Sequence, residues 1–281
     1  MNEHLQEISN KQKISWNKFS PGWKKWRSLL NDQMQPASDG IIQFLQPGGR
    51  QIILDIASGT GEPGLSIAAL LTDGKVVLTD LAGDMLHYAN EIAKNKNISN
   101  AECKVCDVSA LPFDDNRFDA VSCRMGFMFF PDMLLAAKEI RRVLKPGGKF
   151  ATTVWSTPEK NTWVTDIGDC IKINLQLPDP VPGAPGIFRC AKPGLMSNIF
   201  NDAGFKNIGE KEIPCKLNFS TAKNYWDMMT EIAAPIVGAL SKADDSMITT
   251  IKNEVYQIIN DKYPNQEVII NGSCLLLHGE K

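Results

Sequence analysis

The sequence predicts a doubly wound α/β fold, in which helices cover both faces of a seven-stranded, mostly parallel sheet. Two observations carry this prediction. Short apolar runs alternate with helical patterns along residues 51–155, which is typical of parallel strands joined by crossover helices. The run at 53–56 also leads at once into a glycine turn, Gly59-Thr60-Gly61, and then into a helix with Pro63 in its first turn. Strand, glycine turn and helix in this order form the nucleotide-binding entry of such folds.

Two N-terminal helices are predicted to form a cap on this core. Ser20 followed by Pro21 is typical of a helix cap and a first helical turn, so we place the helices at about 4–18 and 21–31. Apolar side chains recur every three or four residues along them, at Trp16, Phe19, Trp23, Trp26 and Leu30. We expect this stripe mainly to pack the cap onto the core, and some of its rings also to line a ligand pocket.

Strands and helices then alternate through the rest of the chain. The strands are expected at about 51–56, 75–80, 101–106, 118–123 and 149–155, and the helices between them at about 63–72, 83–95 and 132–144. A further helix follows the Pro- and Gly-rich stretch 177–193. Two more strands, 213–219 and 268–278, enclose a long helical insert over 221–262, for which Ser220 is the candidate cap.

The glycine pattern alone leaves the cofactor open. Gly59, Gly61 and Gly64 satisfy G-x-G-x-x-G, and Asp80 lies 19 residues after Gly61, at the end of the next apolar run. An acid at that position can bind the ribose of a dinucleotide or of S-adenosylmethionine. Both an NAD(P)-dependent oxidoreductase and an S-adenosylmethionine-dependent enzyme therefore fit the pattern.

Three further features separate these alternatives. Asp55 stands at a strand end, where its carboxylate can face a cationic amine. In Cys106-Asp107-Val108-Ser109-Ala110-Leu111-Pro112-Phe113 an acid precedes apolar residues that can enclose an adenine ring, and Leu144-Lys145-Pro146-Gly147-Gly148-Lys149-Phe150 forms a tight turn before the fifth strand. With these motifs, residues 50–155 resemble the class I S-adenosylmethionine-dependent methyltransferases. The Tyr-x-x-x-Lys pair of the short-chain dehydrogenases is missing.

The resemblance implies the sheet order 3-2-1-4-5-7-6, with the last strand antiparallel, and a set of cofactor contacts. Asp80 is expected to accept hydrogen bonds from both ribose hydroxyls and Asp107 from the adenine amino group, while Asp55 faces the methionine ammonium. The full set of expected contacts comprises Asp55, Ala57, Ser58, Gly59, Gly61, Asp80, Leu81, Met85, Asp107, Val108 and Cys123.

Length and resemblance together predict the domain organisation. A chain of 281 residues suits one large domain that carries a cap. We expect an N-terminal helical cap at 1–46, an S-adenosylmethionine-binding core at 47–155, and the C-terminal half of the sheet at 156–281. This last part is expected to contain a lid loop, 156–192, in addition to the helical insert.

Fewer sequence motifs point to the residues that bind the methyl acceptor. Methyl transfer from a sulfonium depends on orientation and exclusion of water, so no catalytic base has to be evident. Arg124, at the end of the fourth strand, is the one candidate for a catalytic role. We expect it to pair with Asp55 or Asp132 in preference to an acceptor carboxylate. The candidate acceptor contacts are Arg124, Met128, Phe129, Trp155, Trp163 and Arg189.

Within the class, residues 118–150 are most similar to the ubiquinone/menaquinone C-methyltransferases. That group carries Gly-Ile-Arg-Asn where this chain has Gly126-Phe127-Met128-Phe129, so its polar pair is lost. We therefore predict a small or medium, partly apolar methyl acceptor. Two alternatives stay open, an NAD(P)-dependent oxidoreductase and a protein that binds S-adenosylmethionine without catalysis.

The composition argues against several classes of function. With 30 basic and 32 acidic residues the formal charge is −2, which disfavours a nucleic-acid partner. No run of 18 apolar residues occurs, and the polar start Met1-Asn2-Glu3-His4 is not typical of a signal peptide, so we expect a cytoplasmic protein. The N-terminal segment is basic and bears tryptophans, but a solvated helix face is favoured over contact with an anionic membrane.

A metal site is not expected. Cys103 and Cys106 have C-x-x-C spacing, yet no second pair completes a zinc site, and the three histidines are scattered. We expect buried, reduced thiols at Cys103, Cys106, Cys123, Cys215 and Cys274.

Overall fold

A seven-stranded sheet lies at the centre of the protein. The computed structural model describes residues 3–179, 181–264 and 267–281, so Met1 and Asn2 of the polar start and Pro180 of the predicted lid loop lie outside the described residues. The strands are Ile52–Ile56 (β1), Lys75–Asp80 (β2), Ala101–Val105 (β3), Phe118–Arg124 (β4), Leu144–Trp155 (β5), Lys206–Ser220 (β6) and Val268–Glu280 (β7). Their order is β3-β2-β1-β4-β5-β7-β6, and β7 is antiparallel to both of its neighbours. The predicted fold class and strand order are confirmed.

Helices cover both faces of this sheet. They are Glu3–Lys25 (α1), Arg27–Leu45 (α2), Gly64–Leu70 (α3), Gly83–Asn95 (α4), Met133–Val143 (α5), Thr162–Asn174 (α6), Leu195–Asp202 (α7), Ala222–Ile232 (α8), Ala234–Leu240 (α9) and Asp245–Lys262 (α10). Successive strand residues face opposite sides. Ile53 shares an apolar cluster with Ile41 of α2 and Leu65 of α3, whereas Leu54 belongs to a second cluster with Ile140 of α5. The sheet thus divides the core into two layers.

The break between the first two helices lies beyond the predicted position. α1 continues through Pro21, and the chain leaves the helix at Trp26, with φ −88° and ψ 7°. Pro21 has no N–H for the carbonyl oxygen of Asn17, but the Ser20 hydroxyl donates to that oxygen at 2.8 Å. The predicted break at Ser20-Pro21 is therefore wrong, because a side chain replaces the missing backbone bond.

The C-terminal half contains more helix than expected. The insert consists of α8, α9 and α10, and its cap is Thr221, whose hydroxyl accepts from the N–H of Asn224 at 3.0 Å. Ser220, the predicted cap, instead ends β6 at φ 63°. α6, with 13 residues, lies inside the predicted lid loop, and its apolar face, which includes Trp163 and Ile167, is buried.

The cysteines are free thiols, and most of those expected to be buried are so. Cys123, Cys215 and Cys274 are buried and Cys106 is half-buried. Cys103 is exposed, contrary to expectation, because β3 lies at the edge of the sheet. None of the helices in the described ranges combines the length and the apolar character needed to cross a bilayer.

Ser20→Ala tests how α1 tolerates its proline. The buried hydroxyl is lost and the Asn17 carbonyl is left without a donor, so the free energy of unfolding should fall by about 1 kcal/mol. In a Pro21→Ala background a backbone N–H is available to that carbonyl, and the same substitution should cost clearly less. Urea denaturation of the four proteins measures both costs. Equal costs in the two backgrounds would show that the hydroxyl does not compensate for the proline.

Candidate functional site

A cavity of about 290 Å³ opens at the carboxyl ends of the parallel strands. It lies where the strand order changes direction, between β1 and β4, which is where ligands bind in doubly wound folds. The ends of β1, β2 and β3 form what we call its polar half, lined by Ala57, Ser58, Gly59, Asp80, Leu81, Met85, Asp107 and Val108. The other side, which we call its apolar half, follows β4 and β5 and includes Arg124, Met128, Phe129, Trp155 and Trp163. These predicted site residues all line one cavity.

The loop after β1 presents bare backbone to the cavity. Ala57 and Gly59 both adopt the left-handed conformation, each with φ 52°. A Cβ on Gly59 would meet no atom within 4 Å, so this point of the loop is open. Gly61 differs, since a Cβ there would lie 2.6 Å from Leu65 of α3. Gly61 therefore allows the loop to pack and, contrary to expectation, is not part of the cavity wall.

Asp80, at the end of β2, holds this loop in place. Its Oδ2 accepts from the N–H of Gly59 at 2.9 Å, and its Oδ1 accepts from the N–H of Ala82 at 2.8 Å. Each carboxylate oxygen can accept a further hydrogen bond. Burial raises the pKa of Asp80, and hydrogen bonds from the backbone N–H groups of Ala82, Gly59 and Leu81 oppose that effect. Asp80 thus fixes the glycine loop and still offers acceptor capacity to a ligand.

Asp107, just after β3, lies beneath the N-terminal helix. Its Oδ1 accepts from the N–H of Ser109 at 2.8 Å, which caps a short turn, and its Oδ2 accepts from the hydroxyl of Ser9 in α1. The residues of α1 that line the cavity are Ser9, Gln12, Ser15, Trp16 and Trp23. Sequence reasoning missed the three polar ones, because no motif distinguishes them from the other polar residues of α1.

Asp55 lies beneath the glycine loop and is absent from the cavity wall, contrary to expectation. Its Oδ1 accepts from the hydroxyl of Ser122 at 2.6 Å, and its Oδ2 is buried without a hydrogen-bond partner among the described residues. A Cβ on Gly64 would lie 2.8 Å from that Oδ2, so the glycine lets α3 pack directly on the carboxyl. Burial is the largest effect on Asp55 and raises its pKa to about 7.

Two more predicted residues lie outside the cavity wall. Cys123 is fully buried in β4, and its Sγ would be 2.7 Å from a Cβ on Gly126. Arg189 donates to the carbonyl oxygen of Phe130 and, at 3.2 Å, to that of Pro131. Arg189 therefore ties its own segment to the loop after β4, and its guanidinium is used for that contact.

Aromatic rings and methionines dominate the apolar half. The ring of Trp16 meets Phe129 edge-on with centroids 5.1 Å apart and Trp23 at 5.8 Å, and the rings of Trp155 and Trp163 are 4.8 Å apart. Sequence reasoning missed the wall residues of α2, β6 and α8, which are Gln33, Met34, Leu217, Met228, Met229 and Ile232. No motif marks them, because tertiary packing alone brings these elements to the sheet edge.

Arg124 is not paired as expected. Its Nη1 donates to the hydroxyl of Ser38 in α2 at 2.9 Å. Asp132 caps α5 by accepting from the N–H of Leu135 at 2.9 Å, and no carboxylate lies within 4 Å of the guanidinium in the part of the chain that the structure describes. The predicted ion pair with Asp55 or Asp132 is therefore wrong. Burial lowers the pKa of Arg124, and the more distant charges of Glu62 and Asp55 oppose that effect.

Glu62 also lines the cavity and was missed. Its Oε1 lies 3.6 Å from Nη2 of Arg27 and 3.6 Å from Nζ of Lys96, and its Oε2 accepts from the hydroxyl of Ser66 at 2.6 Å. The carboxylate is buried and already neutralised by these two cations. Because Glu62 pairs with Arg27 and Lys96, it does not form an ion pair with Arg124. The guanidinium of Arg124 keeps hydrogen-bond donors beyond the one that it gives to Ser38.

Comparisons with known proteins agree on one class. Residues 53–148 match the protein family described as "Methyltransferase domain". The chain is 37% identical over 170 residues to the ubiquinone/menaquinone biosynthesis C-methyltransferase UbiE of Cronobacter sakazakii, a match covering 56% of this chain and 67% of that protein. It is 39% identical over 154 residues to the demethylmenaquinone methyltransferase of Staphylococcus carnosus, covering 53% and 63%. The YcgJ protein of Bacillus subtilis shares the fold, with TM-score 0.59, 19% identity, and 87% and 98% coverage. The chain spans 55–63% of the length of the first three curated relatives it matches.

Asp55→Asn tests the buried carboxyl. Its pKa is raised from 3.8 to about 7 in the folded protein, so the wild type should lose stability as the pH rises between these values, because the unfolded chain releases a proton that the folded protein retains. Asparagine does not ionise, so the stability of the variant does not fall with pH for this reason. The free energy of unfolding of the variant should therefore rise relative to the wild type over this range, by at most about 4 kcal/mol. Urea denaturation at several pH values measures the difference.

The exposed Asp202 provides the matched control, as Asp202→Asn. A difference between the Asp55 variant and the wild type that does not change with pH would contradict the raised pKa.

Proposed function

Because the chain belongs to the class I S-adenosylmethionine-dependent methyltransferases, we propose that it transfers a methyl group from S-adenosylmethionine to a small or medium, partly apolar acceptor. The single observation that carries the proposal is the cavity at the strand reversal, where a polar half and an apolar half share one space. A donor in the polar half and an acceptor in the apolar half would lie side by side.

The residues of the polar half fit the cofactor. Gly59 leaves open space beside bare backbone, Asp80 and Asp107 offer carboxylate oxygens to ribose hydroxyls and an adenine amino group, and Leu81 and Met85 offer apolar surface to the base. We assign to the cofactor Ala57, Ser58, Gly59, Asp80, Leu81, Met85, Asp107 and Val108. When bound, S-adenosylmethionine supplies an electrophilic methyl group on a sulfonium sulfur, and S-adenosylhomocysteine is the product.

The chain's own contribution is orientation and the exclusion of water. Asp80 holds the glycine loop through the N–H of Gly59, and Trp16 packs edge-on against Phe129 in the cavity wall. Correct positioning of two reactants supplies about 7–11 kcal/mol of a barrier. A sulfonium leaving group needs no protonation, so this positioning is sufficient for an acceptor that is already nucleophilic.

The acceptor contacts distinguish this chain from its relatives. The relatives' names refer to demethylmenaquinone and to ubiquinone and menaquinone biosynthesis. Where the sequence of that group has a polar Arg-Asn pair, this chain has Met128-Phe129, and both residues line the cavity. We assign acceptor contacts to Met128, Phe129, Trp155 and Trp163, which supports a small molecule with a large apolar part.

Charge and cysteine chemistry bear on partners and location. The formal charge of −2 supports a small-molecule acceptor over a nucleic acid. The seven free thiols support a reducing compartment, in agreement with a cytoplasmic location.

Release of S-adenosylhomocysteine is the direct test of this function. The protein should release it from S-adenosylmethionine in the presence of at least one acceptor from a panel of phenols, quinols, thiols and amines, with each acceptor omitted in turn as the blank. Binding of the cofactor without release for any acceptor would favour a binding protein without catalysis and contradict the proposal.

Asp80→Ala tests the assignment of the cofactor. The carboxylate would accept hydrogen bonds from the ribose, so its removal should weaken S-adenosylhomocysteine binding by about 1.5–3 kcal/mol, measured by calorimetry. Asp84→Ala, which removes an exposed carboxylate four residues along the chain, should bind like the wild type. If the Asp80 variant also binds like the wild type, the ribose assignment is wrong.

A further inference from the structure

Two polar side chains in the apolar half have hydrogen-bonding capacity that the protein itself does not use. One is Arg124, whose guanidinium donates to Ser38 and has no carboxylate within 4 Å in the described ranges. Arginine carries five N–H donors. A cation that lines a largely apolar wall without an ion-pair partner is costly unless a ligand supplies the missing charge.

The other is Gln33 of α2, which is 2% exposed and lines the same cavity. Its Nε2 donates to the carbonyl oxygen of Asn218 in β6 at 3.2 Å. Because that oxygen only accepts, the amide nitrogen has to face it, and the orientation of the amide is determined. Its Oε1 is then buried with no hydrogen-bond partner among the described residues. A buried carbonyl oxygen without a donor destabilises the protein, and a ligand that donates a hydrogen bond to it removes this cost.

The two groups are spaced along one helix. Arg124 is anchored to α2 through Ser38, and Gln33 lies five residues before Ser38 on that helix. A helix rises 1.5 Å per residue, so Gln33 and Ser38 lie about 7.5 Å apart along its axis. An acceptor that engages both groups therefore needs two separate polar groups, with apolar surface between them.

We propose that the methyl acceptor is an elongated, mostly apolar molecule with an anionic oxygen, carboxylate or aryloxide, that binds Arg124, and a separate hydroxyl or N–H donor that binds Gln33 Oε1. The inference rests on the proposed function, because it concerns the acceptor side of that site. It makes Arg124 and Gln33 the residues that determine specificity. Trp155 and Trp163 contact the apolar body of the acceptor.

The test separates the two recognition points with four probes and protein saturated with S-adenosylhomocysteine. 6-Hydroxy-2-naphthoic acid carries both groups at opposite ends of its rings, 2-naphthoic acid lacks the hydroxyl, and methyl 6-hydroxy-2-naphthoate lacks the charge. Calorimetry should show the first binding about tenfold tighter than the ester and about fivefold tighter than 2-naphthoic acid. 2-Naphthol tests whether Arg124 can bind an aryloxide in place of a carboxylate, since the absorption of this probe changes when it binds as the naphtholate.

Variants show which residue causes the preference for the acid over its ester and which causes the preference for the hydroxyl. Arg124→Met should abolish the preference for the acid over its ester, and Arg124→Lys should restore part of it. Gln33→Leu should abolish only the preference for the hydroxyl, whereas Gln35→Leu, at an exposed position of α2, should leave both preferences unchanged. Each preference is a ratio of two affinities measured on the same variant. A general loss of stability weakens both affinities alike and therefore leaves the ratio unchanged.

Several results would overturn the proposal. The first is that wild-type protein binds the three naphthoate probes with affinities within about twofold, or binds none of the four. The second is that both preferences persist in the variants. A large loss of S-adenosylhomocysteine affinity in Arg124→Met would assign this residue to the cofactor instead. Failure of the wild type to bind S-adenosylhomocysteine at all would contradict the proposed function itself, and is observed before any probe is added.

Discussion

The reversal of strand order between β1 and β4 is the constraint on which the site depends. It brings the loops that follow these two strands against each other, so closely that a Cβ on Gly126 would lie 2.7 Å from the Cβ of Ala57. On one side of this contact, Asp80 holds the glycine loop open. On the other side, the chain turns into the wall formed by Met128 and Phe129. The polar and apolar halves of the cavity therefore meet at one sheet edge.

The two halves of the cavity come from different parts of the chain. The polar half lies within residues 53–148, the segment that matches the methyltransferase family. Much of the apolar half lies outside it, since Gln33 comes from α2, Trp163 from α6 and Met228 from α8. The proposed cofactor half therefore lies in the segment that matches the family, whereas the proposed acceptor half draws largely on helices outside that segment.

Local patterns in the sequence were sufficient for the sheet and for the glycine loop, because apolar runs and turn glycines determine local backbone structure. They were not sufficient where a distant contact decides the outcome. Pro21 is held inside α1 by a hydroxyl, and Asp55, which was expected to face the methionine ammonium, is buried beneath the glycine loop. Gln33 has no local signature, because its place in the cavity wall follows from α2 lying against β6 and the end of β4.

Thermal unfolding in the presence of S-adenosylmethionine, S-adenosylhomocysteine, NAD and NADP tests the central claim most directly. A ligand at 100 times its dissociation constant stabilises the folded protein by about 2.7 kcal/mol, which moves the midpoint by several degrees. The account predicts this shift with the two sulfur compounds alone. A shift with a nicotinamide cofactor and none with the sulfur compounds would contradict it, and would make Gly59 and Asp80 part of a dinucleotide site.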